Sequence, residues 1–231
     1  MANFKTHIQF ATIGSAAAST LLLNSYILSP KEALLCWVAG TVGGILPDVD
    51  SDNSHALSIL FGFLGLLSCM AIAFYGINRF PILWIWGACV ISFLTTSIAL
   101  RSVFERFTVH RGVFHSVLAG VFFTFLSSAI AGLAGFASIS SWFVGAFVGF
   151  GFLLHLILDE IYSVDFMGAS LKRSFGSAFK LTSISDKFST LAFVSATVIL
   201  WIVSPTYEDF SLIILSPHTY SAIYTDLVRL Q

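Results

Sequence analysis

From Trp142 to Ile161 the chain reads WFVGAFVGFGFLLHLILDEI, a run in which only Asp159 and Glu160 carry a formal charge. A helix of about 20 apolar residues is long enough to cross the hydrocarbon core of a membrane. On such a helix His155 and Asp159, four residues apart, lie on one face near the end of the run. Ionisable side chains in a span are costly and are by default candidates for function. The run therefore predicts both a membrane span and one side of a polar site.

The composition of the whole chain agrees with a membrane protein. Of its 231 residues 57% are hydrophobic and 10% are charged, against about 45–50% and about 25% in soluble domains. The net charge of −1 and the absence of a basic tail argue against nucleic acid as a partner. Cys36, Cys69 and Cys89 stand in apolar segments without a CxxC motif, and we expect them to be small buried hydrophobes.

Seven apolar runs are candidate spans, of which the second and the seventh are short. They are 8–28, 33–46, 56–77, 81–100, 113–135, 142–161 and 190–204. We therefore expect an all-α integral membrane protein, a bundle of about six to seven transmembrane helices. Residues 1–204 would form this domain, and residues 205–231 would be a C-terminal tail without an assigned role. In the first run small residues, among them Ala11 and Ser15, share a face that we expect to point into the bundle.

The distribution of charge predicts an orientation. If the N-terminus is cytoplasmic, eight Lys and Arg residues fall on the cytoplasmic side and three on the other, as the positive-inside rule requires. The same choice brings four polar motifs at the ends of apolar runs to the cytoplasmic side. This parity depends on residues 33–46 crossing fully, since a re-entrant hairpin there would remove it.

Two of these motifs are Lys5-Thr-His7 and Pro47-Asp48-Val-Asp50-Ser-Asp52. In extended backbone, Asp48 and Asp50 would face the same way and could reach one cation. The same residues are also turn formers, so an ordinary turn is the alternative. Gly43 and Gly44, just upstream, would let the preceding helix end pack closely.

A third motif reads His110-Arg-Gly-Val-Phe-His115-Ser. Its two histidines are five residues apart, about 140° around a helix, and would not share a face if both were helical. We therefore expect His110 in a loop, Gly112 at the bend and His115 in the first turn of the next helix. Arg111 stays charged and suits phosphate or carboxylate, with Lys172 and Arg173 as weaker candidates for the same role.

Taken singly, each motif also fits a helix end, a turn or interfacial packing, but their common side favours a shared metal site. The candidate ligands are His7, Asp48, Asp50, His110, His115, His155 and Asp159. Nitrogen and oxygen donors without sulfur suit Zn²⁺, Mn²⁺, Fe²⁺ or Ni²⁺ better than Ca²⁺. Seven candidates exceed the ligand set of one catalytic zinc, so the site could hold one or two ions. A carboxylate that does not bind metal, Asp50 or Asp159, could act as general base.

The ordered set of motifs resembles a known family. Thr6-His7, GGILPDVDS at 43–51, HRGVFHS at 110–116 and HLILD at 155–159 are similar to the bacterial inner-membrane metal-dependent hydrolases described as LexA-regulated or LexA-binding. The resemblance covers residues 1–185 and implies metal-dependent hydrolysis at the inner membrane. A more distant similarity to zinc-dependent phospholipases C favours a phosphoester. Lipid phosphatases of the phosphohistidine type are disfavoured, since Gly149 stands where they carry an arginine.

The predicted function is thus a membrane-embedded metal-dependent hydrolase of a phosphoester or lipid-linked substrate, surrounded by lipid, at the cytoplasmic face. One alternative is a metal- or proton-coupled transporter that uses the same His and Asp residues. Carriers, however, usually place their sites near the midplane between repeated halves, and the sequence contains no repeat. The other alternative is a structural protein whose metal only links helices.

Overall fold

The computed structural model describes residues 3–50, 55–102, 114–165, 170–171, 180–182 and 187–228, nearly all of them in helices. The helices are α1 (Phe4–Asn24), α2 (Pro30–Gly43), α3 (His55–Gly76), α4 (Ile82–Leu94), α5 (Val117–Leu133), α6 (Ser138–Ile161), α7 (Lys187–Val203), α8 (Glu208–Leu215) and α9 (Pro217–Val228). A short 3-10 helix, Leu46–Asp50, follows α2, and a π-helical segment, Thr95–Leu100, continues α4. The strands β1 (Val164–Asp165) and β2 (Ser170–Leu171) form a two-residue antiparallel ladder. The expected helical class is confirmed.

The chain divides into two compact units, residues 1–47 with 113–231 and residues 48–112. In the first unit α6 is central and packs against α1, α2, α5 and α8, while α1 also contacts α2 and α9, and α5 contacts α7. Within the most apolar part of α6, 61% of the residues are buried inside the protein. The helix predicted from residues 142–161 is thus the core of its unit.

Glycines allow α2 to approach α6 at backbone distance. A Cβ atom at Gly151 would lie 1.8 Å from the carbonyl oxygen of Gly40, and one at Gly43 would lie 2.1 Å from that of Val148. On the α1 side, a Cβ at Gly44 would lie 2.2 Å from the Cβ of Ala11. Small residues permit such close packing between apolar helices. The close packing expected from Gly43 and Gly44 is confirmed.

Hydrogen bonds at the start of α2 attach it to the start of α6. Ser29 and Glu32 form a capping box, in which each side chain accepts from the backbone N–H of the other residue. The second carboxylate oxygen of Glu32 accepts a hydrogen bond from the hydroxyl of Ser140 on α6. The hydrogen bond from Ser140, followed by those from Ser29, lowers the pKa of Glu32 below its ordinary value.

The second unit is built on the antiparallel pair α3 and α4. Ser92 donates to Ser68 at 2.8 Å, and the Cys69 thiol donates to the carbonyl of Cys89 at 3.1 Å. Cys69 and Cys89 are half-buried, so the expected full burial holds only for Cys36 in α2. The outer surfaces of both helices are apolar and exposed, with only 17% of the α3 span and 6% of the α4 span buried.

Three helices among the described residues are long and apolar enough to cross a membrane: Leu57–Gly76, Ile82–Leu100 and Ser138–Ile161. A fourth results if Thr190–Val203 and Glu208–Leu215, which meet at 97°, are one broken span. The expected six to seven spans are thus not confirmed. One reason is length: the 14 residues of α2 extend only about 21 Å, against a hydrocarbon core of about 30 Å.

Candidate metal centre

Three helix ends of the first unit bring three imidazoles to one carboxylate. His7 lies in the first turn of α1, His155 and Asp159 lie in the last turns of α6, and His115 immediately precedes the N-cap of α5. The exposed fractions of His7, His155, Asp159 and His115 are 2%, 1%, 3% and 5%. We call these four residues the His–Asp cluster. It is sealed from solvent and lies at one end of the helices that form it.

Asp159 is the centre of this cluster. Its Oδ2 lies 2.9 Å from Nε2 of His115 and 3.8 Å from Nε2 of His155, and its Oδ1 lies 3.2 Å from Nε2 of His7. One donor atom each from His115, His155 and Asp159 can be chosen so that all three lie within 4.8 Å of one another. Donors grouped this closely could hold a single ion.

The three rings also pack on one another. His7 and His155 are stacked, with centroids 3.6 Å apart and planes inclined by 10°, while His115 meets His155 edge-on at 5.3 Å. Two imidazolium charges at the stacking distance would repel strongly in a buried environment. Neutral imidazole, which avoids this repulsion, is the form that binds metals.

Backbone carbonyls set the tautomers of two rings. Nδ1 of His155 lies 2.8 Å from the carbonyl oxygen of Gly44, and Nδ1 of His115 lies 3.1 Å from that of Pro47. A carbonyl oxygen only accepts, so both Nδ1 atoms carry the hydrogen and donate it. In a neutral ring the lone pair is then on Nε2, the atom that faces Asp159. Histidines that bind metal are commonly held in this way by their second nitrogen.

The cluster therefore fits a bound cation. Lone pairs on Nε2 of His115 and His155 approach a carboxylate that is itself electron-rich, and a proton or a metal ion between them removes the repulsion. In addition, Nδ1 of His7 is buried and has no hydrogen-bond partner among the described residues. A buried polar atom without a partner is costly and is rare in proteins. Donors of nitrogen and oxygen type suit Zn²⁺, Mn²⁺ or Fe²⁺.

Comparison with known protein families gives a match over nearly the whole chain. Residues 1–227 match the family model described as "YdjM inner membrane protein". The chain belongs to this family. Its description agrees with the expected inner-membrane location, which several apolar helices of the structure support, and it names no reaction. No curated protein and no solved structure matches the chain.

The other predicted site residues of this YdjM family member are placed only in part. Asp48 is half-buried in the 3-10 helix, and Asp50 belongs to the same helix, with its side chain outside the described part of the structure. Outside it altogether are His110, Arg111, Gly112, Lys172 and Arg173. Of the seven predicted ligands, His7, His115, His155 and Asp159 are brought together in the first unit.

Two local predictions for the YdjM family member are wrong. Residues 46–50 form a 3-10 helix and not extended backbone, so the extended geometry on which the pairing of Asp48 and Asp50 depends is absent. His115 lies before α5 and not in its first turn, because Ser116 is the N-cap and accepts from the N–H of Ala119. The helix thus starts after the histidine, which leaves the ring free to turn toward α6.

The sequence missed the two carbonyls that orient the rings. Gly44 and Pro47 act through main-chain oxygens, for which side-chain patterns carry no signal beyond the tight Gly-Gly-Ile-Leu-Pro segment itself.

A further unexpected feature concerns the N-terminus of α5 beside His115. Its first N–H groups, those of Val117 and Leu118, donate to the carbonyls of Lys180 and Leu181 at 3.1 Å each. They are therefore not available to a substrate anion.

Proposed function

We propose that this chain is a membrane-embedded, metal-dependent hydrolase of a phosphoester or lipid-linked substrate. One observation carries the proposal. The rings of His115 and His155 donate their Nδ1–H to backbone carbonyls and direct Nε2 at a single buried carboxylate. This geometry is typical of histidines prepared to bind a metal, with the outer hydrogen bonds fixing the tautomer.

The proposed ligands in the cluster are His7, His115, His155 and Asp159. Asp48, Asp50 and His110 stay predictions from the sequence as further ligands, so the proposal covers one or two ions of zinc, manganese or iron. When bound, such an ion would activate water and polarise the bond to be hydrolysed. The outer hydrogen bonds of this chain would hold both imidazoles in the required tautomer before the ion arrives.

The protein would contribute proton transfer and binding of the substrate anion. Asp159, or Asp50, would hold and pass on the proton of the attacking water if it is not itself a ligand. Arg111, with its planar guanidinium, would bind the anionic group of the substrate in two hydrogen bonds. Both assignments come from the sequence: Asp50 and Asp159 belong to the predicted ligand set, and Arg111 stands between His110 and His115.

The position of the cluster favours hydrolysis over transport. It lies at one end of α6 and at the starts of α1 and α5, whereas carriers commonly bind their substrate near the middle of broken helices.

We propose a multi-pass inner-membrane protein of six to seven spans, with this end at the cytoplasmic face, as the excess of Lys and Arg requires. LexA regulation, which the resemblance implies, would concern expression of the gene, and the proposed chemistry does not depend on it.

Metal analysis of the purified protein is the first test. Protein extracted in mild detergent, without chelator, is expected to contain at least one equivalent of Zn, Mn or Fe by mass spectrometry of the elements. His115→Ala and His155→Ala should each remove it. His218→Ala is the matched control, because His218 is exposed on α9, and it should retain the wild-type metal content. Folded wild-type protein that binds no transition metal, even after incubation with each ion, would contradict the proposal.

Turnover is the second test. The metal-loaded protein is incubated with water-soluble phosphomonoesters and phosphodiesters and with phospholipid vesicles, and released phosphate or head group is measured. Hydrolysis by the wild type and His218→Ala, but not by His155→Ala, is the expected pattern. Metal-dependent flux into proteoliposomes with no hydrolysis of any ester would instead support the transporter. Bound metal with neither activity would support a metal that only links helices.

A further inference from the structure

The turn between α3 and α4, in the second unit, carries an isolated positive charge. Among residues 53–100, Arg79 is the only residue with a formal charge. The helices on both sides of the turn are long and apolar enough to cross a membrane, so the turn that joins them lies at a membrane surface. No carboxylate of this hairpin neutralises Arg79, and the cation lies at the level of the lipid head groups.

Backbone hydrogen bonds order this turn and place the arginine. The carbonyl oxygen of Gly76 accepts from the N–H groups of Arg79 and Phe80 at 3.0 and 3.1 Å. Asn78 has a φ of 65°, in the left-handed region that Asn enters more readily than most residues. The guanidinium carbon of Arg79 then lies 4.2 Å from the centroid of the Tyr75 ring. This cation–π contact holds the charge beside Tyr75.

An apolar groove begins at the same tyrosine. Its volume is about 450 Å³, within the range of about 300–1,000 Å³ that is typical of ligand sites. The lining side chains are apolar or aromatic and include Ala71 and Tyr75 of α3, Phe80 of the turn, and Trp84 and Ala88 of α4. Because Tyr75 both lines the groove and contacts Arg79, the cation lies at the rim of the groove.

The groove has the depth of the acyl-chain region of one leaflet, measured along either helix. Ala71 precedes Gly76, the last residue of α3, by five residues, and Ala88 follows Ile82, the first residue of α4, by six. At a rise of about 1.5 Å per residue these intervals are about 7.5 and 9 Å. One leaflet contributes about 15 Å to a hydrocarbon core of about 30 Å. Both helices therefore place the groove within the leaflet next to the turn.

An arginine at the end of a span commonly does no more than extend its cation to the interface. Two features of Arg79 go beyond that role. Among the residues that the structure describes, none accepts a hydrogen bond from its side chain, and a concave apolar surface begins at the ring that it contacts. A guanidinium binds phosphate through two hydrogen bonds. A phosphate attached to a long apolar chain therefore complements both the cation and the groove.

We propose that this site binds one phospholipid with a net negative head group. Its phosphate contacts Arg79, and one of its acyl chains lies in the groove. Charge favours an anionic lipid over a zwitterionic one, since a zwitterionic head group brings its own cation to a site that already holds one. The site belongs to the second unit, and its occupation does not depend on the hydrolysis proposed for the His–Asp cluster.

Quenching of tryptophan fluorescence by brominated lipids tests the site, because Trp84 lines the groove and Trp86 does not. Both side chains are accessible to lipid, with exposed fractions of 74% and 61%. The full-length protein is reconstituted into phosphatidylcholine vesicles, in which a growing fraction of lipid is replaced by phosphatidylglycerol with brominated acyl chains. The signal of each tryptophan is the difference between the wild type and Trp84→Phe or Trp86→Phe.

Brominated phosphatidylglycerol should half-quench the Trp84 signal at a mole fraction several-fold lower than it requires for Trp86. Brominated phosphatidylcholine, the control lipid, should quench both signals alike. Equal quenching of Trp84 and Trp86 by phosphatidylglycerol would indicate surrounding lipid only and would overturn the proposal.

Substitution of Arg79 tests the contact with the head group. Arg79→Gln should abolish the several-fold preference of the Trp84 signal for phosphatidylglycerol over phosphatidylcholine. Lys31→Gln is the matched control, because it removes an exposed cation at the start of α2 in the first unit, and it should keep the preference. An unchanged preference in Arg79→Gln would show that Arg79 does not bind the head group.

Filling the groove tests the position of the acyl chain. Ala88→Phe places a ring in the groove, whereas Val90→Phe places one on the exposed surface of α4 outside it. The number of phosphatidylglycerol molecules retained per protein, measured by native mass spectrometry from mild detergent, should fall several-fold in Ala88→Phe and stay at the wild-type value in Val90→Phe. Circular dichroism checks that both variants are folded. Wild-type retention in Ala88→Phe, or an equal loss in both variants, would refute binding in the groove.

Discussion

Helices α6 and α4 look alike in hydropathy but differ in what surrounds them. Each is part of a segment long and apolar enough to span a membrane, yet 61% of the α6 span is buried inside the protein against 6% of the α4 span. α6 ends in His155 and Asp159, whereas residues 82–100 contain no charged side chain. Ionisable groups at membrane depth need partners that replace water. Only the helix enclosed by neighbours can therefore carry a polar site.

The hydrogen bonds of the two helices differ accordingly. On α4, Ser92 and Cys89 bond to neutral groups of α3, and interactions of this kind are worth about 0.6 kcal/mol in membrane helices. On α6, Asp159 lies among three imidazoles. Two of these rings, His115 and His155, also donate their Nδ1–H to backbone carbonyls. Removing one partner of a buried charged group costs about 3–5 kcal/mol. The comparison therefore predicts that substitutions in the polar site of α6 lower the free energy of unfolding much more than substitutions on α4.

The largest effect is expected for Asp159→Ala. Three buried imidazoles lose their common carboxylate, so the free energy of unfolding should fall by about 3–5 kcal/mol and bound metal should be lost. Denaturant titration in detergent micelles, together with metal analysis, measures both. Wild-type metal content in this variant would show that Asp159 is not part of the site, whatever the change in stability.

A substitution at the α2–α6 contact should have the next largest effect. Gly151→Ala places a methyl group against the carbonyl of Gly40, and overpacking of this kind costs about 1–3 kcal/mol. Separating α2 from α6 should also lengthen the bond from His155 to Gly44. Because loss of an outer hydrogen bond weakens metal binding by about 10–100-fold, a metal titration should show a weaker affinity.

Gly62→Ala is the control for this substitution. A Cβ at Gly62 of α3 has no neighbour within 4 Å, so its metal affinity should be that of the wild type and its stability equal or slightly higher. If Gly62→Ala weakened metal binding as much as Gly151→Ala, close packing of α2 on α6 would not be what positions His155.

A small effect is expected for Ser92→Ala on α4. It removes the hydrogen bond to Ser68, so the free energy of unfolding should fall by about 0.6 kcal/mol, with metal content unchanged. Unfolding in detergent is again the measurement, and Ser102→Ala, whose hydroxyl bonds within its own helix, is the control. A loss as large as that of Asp159→Ala would remove the distinction between the two helices.

The smallest effect concerns the start of α6. The pKa of Glu32 is lowered by the hydroxyl of Ser140 and then by Ser29, so its contribution to stability is present at neutral pH. It is lost as the pH falls through that lowered pKa, since a protonated carboxyl accepts these hydrogen bonds poorly. The thermal unfolding temperature of the wild type should therefore fall more steeply toward acid pH than that of Ser140→Ala. Identical pH profiles would show that the Ser140 contact contributes nothing.

Much of the polar site was predictable because its spacing is local. His155 and Asp159, one turn apart at the end of an apolar run, do share a face, and the parity of apolar runs grouped them with His7 and His115 on one side. The backbone conformation at Asp48 and Asp50 could not be predicted in the same way. Turn-forming residues fit extended backbone and a 3-10 helix equally well, and the structure has the helix.

The amino-acid sequence alone determined the helical class, the apolar helices and the identity of the residues that could bind metal, since hydropathy and side-chain chemistry are properties of each segment. Tertiary structure decided which of these residues meet and in which tautomer. The deciding groups are the carbonyls of Gly44 and Pro47, brought to His155 and His115 from far along the chain. Every residue has such a carbonyl, so only packing, here the contact of glycines between α2 and α6, selects the two that act.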